Sequence, residues 1–177
     1  MTLRRAQSED ADRLQRFYNS LSHASKRTFR PLGWRAGLDR CRDVVNGNGA
    51  DSETRFDLFA VEEDRIVGWG FAAGLSEDTP GFGLGVSDHR QGLGLGRRLM
   101  DEVIHEVRRR GNTGLSLCLV QDNLRARRLY ESFGFRKTRT RRGTDGLRYT
   151  DMRLDLASEE GTELQSDSIG RLSVEFP

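Results

Sequence analysis

Lysine is almost missing from this chain. Of its 29 basic residues only Lys26 and Lys137 are lysines, and the rest are arginines. Cysteine is as scarce, with Cys41 and Cys118 alone, too few for a disulfide framework or a cysteine-based metal site. Cys118 sits in the apolar run GLSLCLV, where a buried, inert thiol is the expectation. No apolar stretch approaches the ~18 residues of a membrane span, and the amino terminus lacks an apolar signal core. A cytoplasmic protein without a membrane partner is expected. An excess of one charge is lacking too: the net charge is only +2, so nucleic acid is not the expected partner.

What is present fits one globular domain. A chain of 177 residues can bury roughly 70% of its unfolded surface. A hydrophobic fraction of 35% beside a charged fraction of 32% describes a domain with a heavily charged exterior. The arginine bias suits bidentate contacts to phosphate or carboxylate, although genome composition accounts for it equally well.

The periodicities divide the chain as follows. Residues 2–6 can form a short strand. Ser8 and Asp10 are candidate caps for a helix in which Leu14, Phe17, Tyr18 and Leu21 share one face. A short helix is expected over about 34–45, then a loop at 46–53. TRFDLFAVE and RIVGWGFAAG read as a hairpin turning at Glu63 and Asp64. GFGLGVSD at 81–88 reads as a glycine-rich third strand. From Gly94 to about Arg110 the 3.6 period is held by Leu99, Met100, Val103, Ile104 and Val107, and Gly111 ends it. GLSLCLV is apolar on both faces and belongs mid-sheet. A helix over NLRARRLYESF closes at Gly134, and strands at about 135–141 and 147–156 flank the turn GTDG. The order implies an α/β domain over 1–156 with a mixed sheet. The segment 157–177 reads either as disordered or as an edge strand pairing with a second copy, through Leu172, Val174 and Phe176.

RQGLGLGRRLM at 90–100 carries the first functional signal. A P-loop needs Lys followed by Ser or Thr after its last glycine, but Gly96 is followed by Arg97 and Arg98. The dinucleotide fingerprint needs G-x-G-x-x-G, and the spacing here is G-x-G-x-G. Both nucleotide readings fail. A loop of exposed amides entering a helix amino terminus still suits an anion, with Arg90, Arg97 and Arg98 able to add charged bonds. A plain helix–strand close contact explains the glycines too. Downstream, Ala126, Leu129, Tyr130 and Phe133 share a helix face, where Tyr130 alone would read as a core aromatic.

Taken together, the two stretches resemble the GNAT superfamily of acyl-CoA-dependent N-acyltransferases. Q-x-x-G-x-G at Gln91–Gly96 is similar to that family's pyrophosphate loop, and N-x-x-A-x-x-L-Y-x-x-x-G-F at Asn123–Phe135 to its following helix. The likeness covers roughly 2–156. It implies a mixed, mostly antiparallel sheet with helices on both faces and two strands splayed to admit acyl-CoA. It implies acetyl-CoA as co-substrate, a primary amine as acceptor and no metal. By the same resemblance Leu84 and Val86 would offer backbone groups to the pantetheine arm. The amides of Gln91, Gly92, Leu93, Gly94, Leu95, Gly96 and Arg97 would hold the pyrophosphate, and Asn123 would reach the pantetheine. Tyr130 would protonate the departing thiolate as general acid, a role worth about 10²–10⁴ in rate.

The amine must first lose a proton, which at a pKa near ~10.4 costs roughly 4–5 kcal/mol at neutral pH. Many family members place a glutamate on the strand matching 81–87, whereas GFGLGV has none. Candidate bases elsewhere are Glu62, Asp57, Asp88, His89 and His23, each with an ordinary structural explanation. Gly81, Gly83 and Gly85 would either thin the strand for a bulky acceptor or mark a bulge. RKTRTRR at 136–142 reads as a solvated hairpin in preference to a nucleic-acid or acidic-substrate patch. The missing glutamate also leaves open a non-catalytic acyl-CoA sensor or regulatory module. A homodimer through the terminal segment is a further reading.

Overall fold

A computed structural model describes residues 1–48 and 52–156. The expectations for the segment 157–177, including its pairing with a second copy, lie outside the described residues. In chain order the elements are β1 Thr2–Arg5, α1 Ala11–Ser20, α2 His23–Thr28, α3 Leu38–Asn46, β2 Arg55–Glu62, β3 Arg65–Ala73 and β4 Gly81–Val86. They continue with α4 Leu95–Arg109, β5 Gly114–Val120, α5 Leu124–Ser132, β6 Arg136–Arg142 and β7 Arg148–Asp155.

The strands form one seven-stranded sheet in the order β1-β2-β3-β4-β5-β7-β6. Every neighbouring pair is antiparallel except β4 and β5. The β2–β3 hairpin turns through Glu63 and Asp64, both left-handed at φ 46 and 63, as a two-residue turn of matching twist requires.

Helices cover both faces. On one, α4 buries Leu95, Leu99, Met100, Val103, Ile104 and Val107, the stripe its period demands, with α5 beside it. On the other, α1 and α3 bury Leu14, Phe17, Tyr18, Cys41 and Val44 against Phe59, Ile66 and Trp69. That second layer contains two buried carboxylates. Asp57 is fully buried and accepts from Trp69 Nε1 at 2.7 Å, Asn48 Nδ2 at 2.6 Å and both Nε and Nη2 of Arg55. Asp10 stands at the N-cap of α1, as expected, but does not cap it through its side chain. Its carboxylate instead takes the Gln7 N–H and two bonds from Arg4, because a buried charge must be paired.

Candidate functional site

The site begins where the sheet comes apart. β4 and β5 run parallel but pair in register only at Gly81↔Ser116. Beyond that point the two strands diverge, and a cleft of about 660 Å³ opens between them. The direction of β4's free groups follows from its other neighbour. The Ser87 N–H bonds Val67 O at 2.9 Å, and the ladder to β3 keeps an unbroken register. Hydrogen bonding alternates along an antiparallel strand, so the main-chain groups of Leu84 and Val86 face the gap. Gln91 Nε2 already reaches Val86 O there, at 3.1 Å.

The glycine loop closes one end of the cleft. Gly92 and Gly94 adopt left-handed φ of 84 and 80, conformations that cost an L side chain roughly 1–2 kcal/mol. Gly94 is the N-cap of α4, and the first i→i−4 bond runs from Arg98 N–H to Gly94 O. The amides of Leu95, Gly96 and Arg97 therefore precede the helical ladder and stay free as donors. Gly92, Gly94, Gly96, Arg97 and Arg125 all line the cleft. Of the two leucines, Leu93 is 68% exposed while Leu95 is buried in the core, so their possible contribution is through main-chain groups.

The opposite wall comes from α5. Asn123 is its N-cap, with Oδ1 accepting from Ala126 N–H at 3.1 Å, which leaves the side-chain NH₂ free to donate. Tyr130 is buried and lies edge-on to Phe82, ring centroids 6.1 Å apart. Among the described residues its hydroxyl makes no hydrogen bond, and burial pushes the phenol up to about 12. Leu84, Val86, Gln91, Asn123 and Tyr130 thus share one cleft.

The other side of the cleft differs from expectation. No bulge interrupts β4, so that reading of its glycines fails. A Cβ on Gly83 would lie 2.3 Å from the Phe71 ring, and one on Gly85 2.3 Å from the Phe29 ring. The protein's own aromatics occupy the space beside the strand. Phe29 in turn meets Trp69 edge-on at 5.5 Å and Phe71 at 6.3 Å. An aromatic wall stands where a carboxylate would otherwise project.

None of the five candidate bases stands free in this cleft. Asp57 is the buried hub under Trp69, Glu62 is ion-paired with Arg90, and His89 borders a separate cavity. His23 stacks on Trp34 at 4.6 Å. Asp88 does line the cleft, but it accepts from Ser22 N–H, Ser22 Oγ and Ser25 Oγ at 2.9, 2.7 and 2.6 Å. Burial pushes its carboxyl up, yet those bonds outweigh burial and hold it below the usual range. Asp88 is a fastener for α2.

That helix was not anticipated as a separate element, and it matters. Besides Asp88, α2 bonds Gln91 through Ser25 Oγ at 3.0 Å, and Arg27 forms a bidentate pair with Asp122 beyond β5. Arg30, just past the helix, pairs with Asp145 in the β6–β7 turn at 2.8 Å. The segment therefore spans the mouth of the splay. Ser22 caps it by accepting from Ser25 N–H, and that Ser-x-x-Ser start was the available signal. Cys118 also requires correction: it is exposed and lines the cleft. Its side chain opens onto the cleft, so a mid-sheet position does not imply burial. The surrounding protein, then its contact with Asp151, still push the thiol up to about 11.

A mixed sheet splayed between two parallel strands, with a glycine-initiated helix at the opening, defines an acyltransferase-like architecture. The chain belongs to the GNAT family: the family model for an acetyltransferase (GNAT) domain matches residues 40–156. The fold is shared with a GNAT-family acetyltransferase from Streptococcus pneumoniae, at TM-score 0.76 and 21% identity over 88% of this chain and 99% of the other. It is likewise similar to yncA from Salmonella typhimurium, solved with its cofactor acetyl-CoA, at TM-score 0.73 and 23% identity over 94% and 99% of the two chains. A ribosomal-protein-alanine N-acetyltransferase from Brucella melitensis aligns at TM-score 0.73 and 22% identity, over 88% and 100%. No curated protein sequence matches.

Proposed function

We propose that this protein is an N-acetyltransferase that moves the acetyl group of acetyl-CoA to a primary amine by direct attack within a ternary complex. One observation carries the reading: the loop whose free amides precede α4, the unpaired main-chain edge of β4 and Tyr130 line a single cleft. Such a donor set fits an acyl-CoA. The amides from Gln91 to Arg97 would hold the pyrophosphate at the positive end of the helix. Leu84 and Val86 would hydrogen-bond the pantetheine arm as a neighbouring strand would, and Asn123 would donate its free NH₂ to it.

Bound there, acetyl-CoA supplies an activated thioester. Tyr130, at about 12, keeps its proton throughout the working range and can stabilise charge developing on sulfur. The departing thiolate is desolvated in the same cleft, where burial likewise pushes the Cys118 thiol up to about 11, so burial raises the sulfur's affinity for a proton as well as the phenol's. Tyr130 would then hydrogen-bond the sulfur as its charge develops and, as general acid, pass its proton to the departing thiolate. With Asp88 committed to α2 and no strand carboxylate, the acceptor amine loses its proton to water.

A second reading, an acyl-CoA-binding module without catalysis, draws on the aromatic wall beside Gly83 and Gly85. A broad amine panel separates the two. Transfer to an amine supports the enzyme, whereas saturable acetyl-CoA binding with only slow hydrolysis supports the module.

A further inference from the structure

The arginine-rich strand β6 acquires a role from its neighbours. Cross-strand partners share a face of a sheet, and the register sets three rows across β5, β7 and β6. They are Ser116–Arg153–Arg136, Cys118–Asp151–Arg139 and Val120–Tyr149–Arg141. The reverse face buries Leu117, Thr150, Met152 and Leu154. On the front face Cys118 is exposed and Tyr149, Asp151 and Arg153 are half-buried. The arginines project into solvent, with side-chain exposures of 69% for Arg139, 43% for Arg141 and 41% for Arg153.

The charge on this face does not balance. Arg139 and Arg141 share Asp151, while Arg153 pairs with Asp155. Arg136 adds a fourth cation, so four arginines against two aspartates leave +2 on the face. Exposed pairs of this kind exchange partners readily, and an incoming carboxylate can take an arginine by its bidentate fork. The face is also continuous with the cleft. Cys118 lines the cleft, and Arg141 Nη2 lies 3.2 Å from its sulfur.

We propose that this face docks the acceptor: a peptide with a free amino terminus followed by acidic residues. The inference rests on the acetyltransferase reading of the cleft. Two strand spacings separate β5 from β6, about 10 Å, and an extended peptide advances about 3.3 Å per residue. An amine at the splay therefore places acidic side chains at roughly positions two to four over Arg139, Arg141 and Arg153. Asp151 and Asp155, interspersed among the cations, disfavour a polynucleotide there, and Tyr149, the aromatic in these rows, is half-buried with Arg141 over its ring.

The test uses the full chain and matched peptides with a free amino terminus followed by three glutamates, three glutamines or three lysines. The glutamate peptide is expected to show a KM about tenfold below the glutamine peptide, and the lysine peptide to be poorest. Arg139→Glu, on the exposed edge strand, should collapse the glutamate preference, with Arg136→Glu as the second variant. The acetyl-CoA KM in the same assay reports whether each variant is folded. Equal KM values for all three peptides would overturn the proposal. So would a preference for glutamate that survives both variants, or one that emerges only after Glu159, Glu160 and Glu163 are changed to Gln, which would make the chain's own terminal segment the occupant. Polynucleotide binding lost in Arg139→Glu without any peptide preference would overturn it as well. Anisotropy of labelled peptides with coenzyme A present reads docking without turnover. Selective docking with no acetylation would leave the surface standing and remove the enzyme reading.

Discussion

The two sides of the splay are built from different materials. On the α4 and α5 side the cleft offers main-chain groups: the amides at the start of α4 and the free edge of β4. On the α1–α3 side it is walled by side chains from distant segments, with Phe29 over Gly85, Phe71 over Gly83 and α2 fastened through Asp88, Asp122 and Asp145. A main-chain site needs particular spacings and glycines but tolerates most side chains. A side-chain site depends on which residues the fold brings together. The first kind suits an invariant cofactor, and the second suits an acceptor peculiar to one protein.

Substitutions can break this contrast. The largest effect belongs to Asp57→Ala, which leaves Arg55, Trp69 and Asn48 without their shared acceptor. A buried charged network broken on one side loses about 3–5 kcal/mol, read as a lower midpoint in urea unfolding. A loss confined to acceptor KM would place Asp57 in recognition instead. Next comes Tyr130→Phe. A hydrogen bond to a developing charge is worth about 1.5–3 kcal/mol, so kcat should fall roughly ten- to a hundredfold while the acetyl-CoA KM holds.

Gly94→Ala forces a left-handed residue, φ 80, at the start of α4. A penalty of about 1–2 kcal/mol raises the acetyl-CoA KM some 5- to 30-fold and leaves acceptor KM unchanged. If both constants rise together, the two sides are not separable. The smallest effect is Asp122→Asn. It opens the exposed pair with Arg27, and a thermal melt should not resolve it; a measurable change in acceptor KM would show that α2 positions the acceptor.

The pH dependence distinguishes the sides too. The folded Tyr130 is raised to about 12 by burial, so its donor form is complete below that value and lost only above it. A rise of kcat/KM with pH, following the acceptor amine, should therefore show no falling limb between pH 8 and 10. A fall near pH 10 would mean that Tyr130 is exposed to water during turnover.

How much the sequence disclosed follows the same division. The glycine loop and the helix after Asn123 were legible as elements because their glycines, cap and apolar positions follow a fixed spacing along one stretch of chain. Strand limits were legible for a similar reason, since alternation and turn residues are local. Helix α2 escaped notice because its six residues, HASKRT, hold a single alanine among polar side chains and carry no apolar period. The purpose of Gly83 and Gly85 was hidden because it depends on rings at 71 and 29, far away in sequence. Cys118 was misread from the apolar look of GLSLCLV. Yet Ser116 and Cys118 alternate with Leu115, Leu117 and Leu119, and that alternation marked an open face.

The central claim is that this cleft passes an acetyl group to an amine. Mass analysis of a panel of amines and free-amino peptides, incubated with acetyl-CoA and the full-length protein, tests it most directly. The account predicts a product heavier by one acetyl group, formed with stoichiometric free coenzyme A and slowed by Tyr130→Phe. Saturable acetyl-CoA binding with no acetylated product from any acceptor would contradict it.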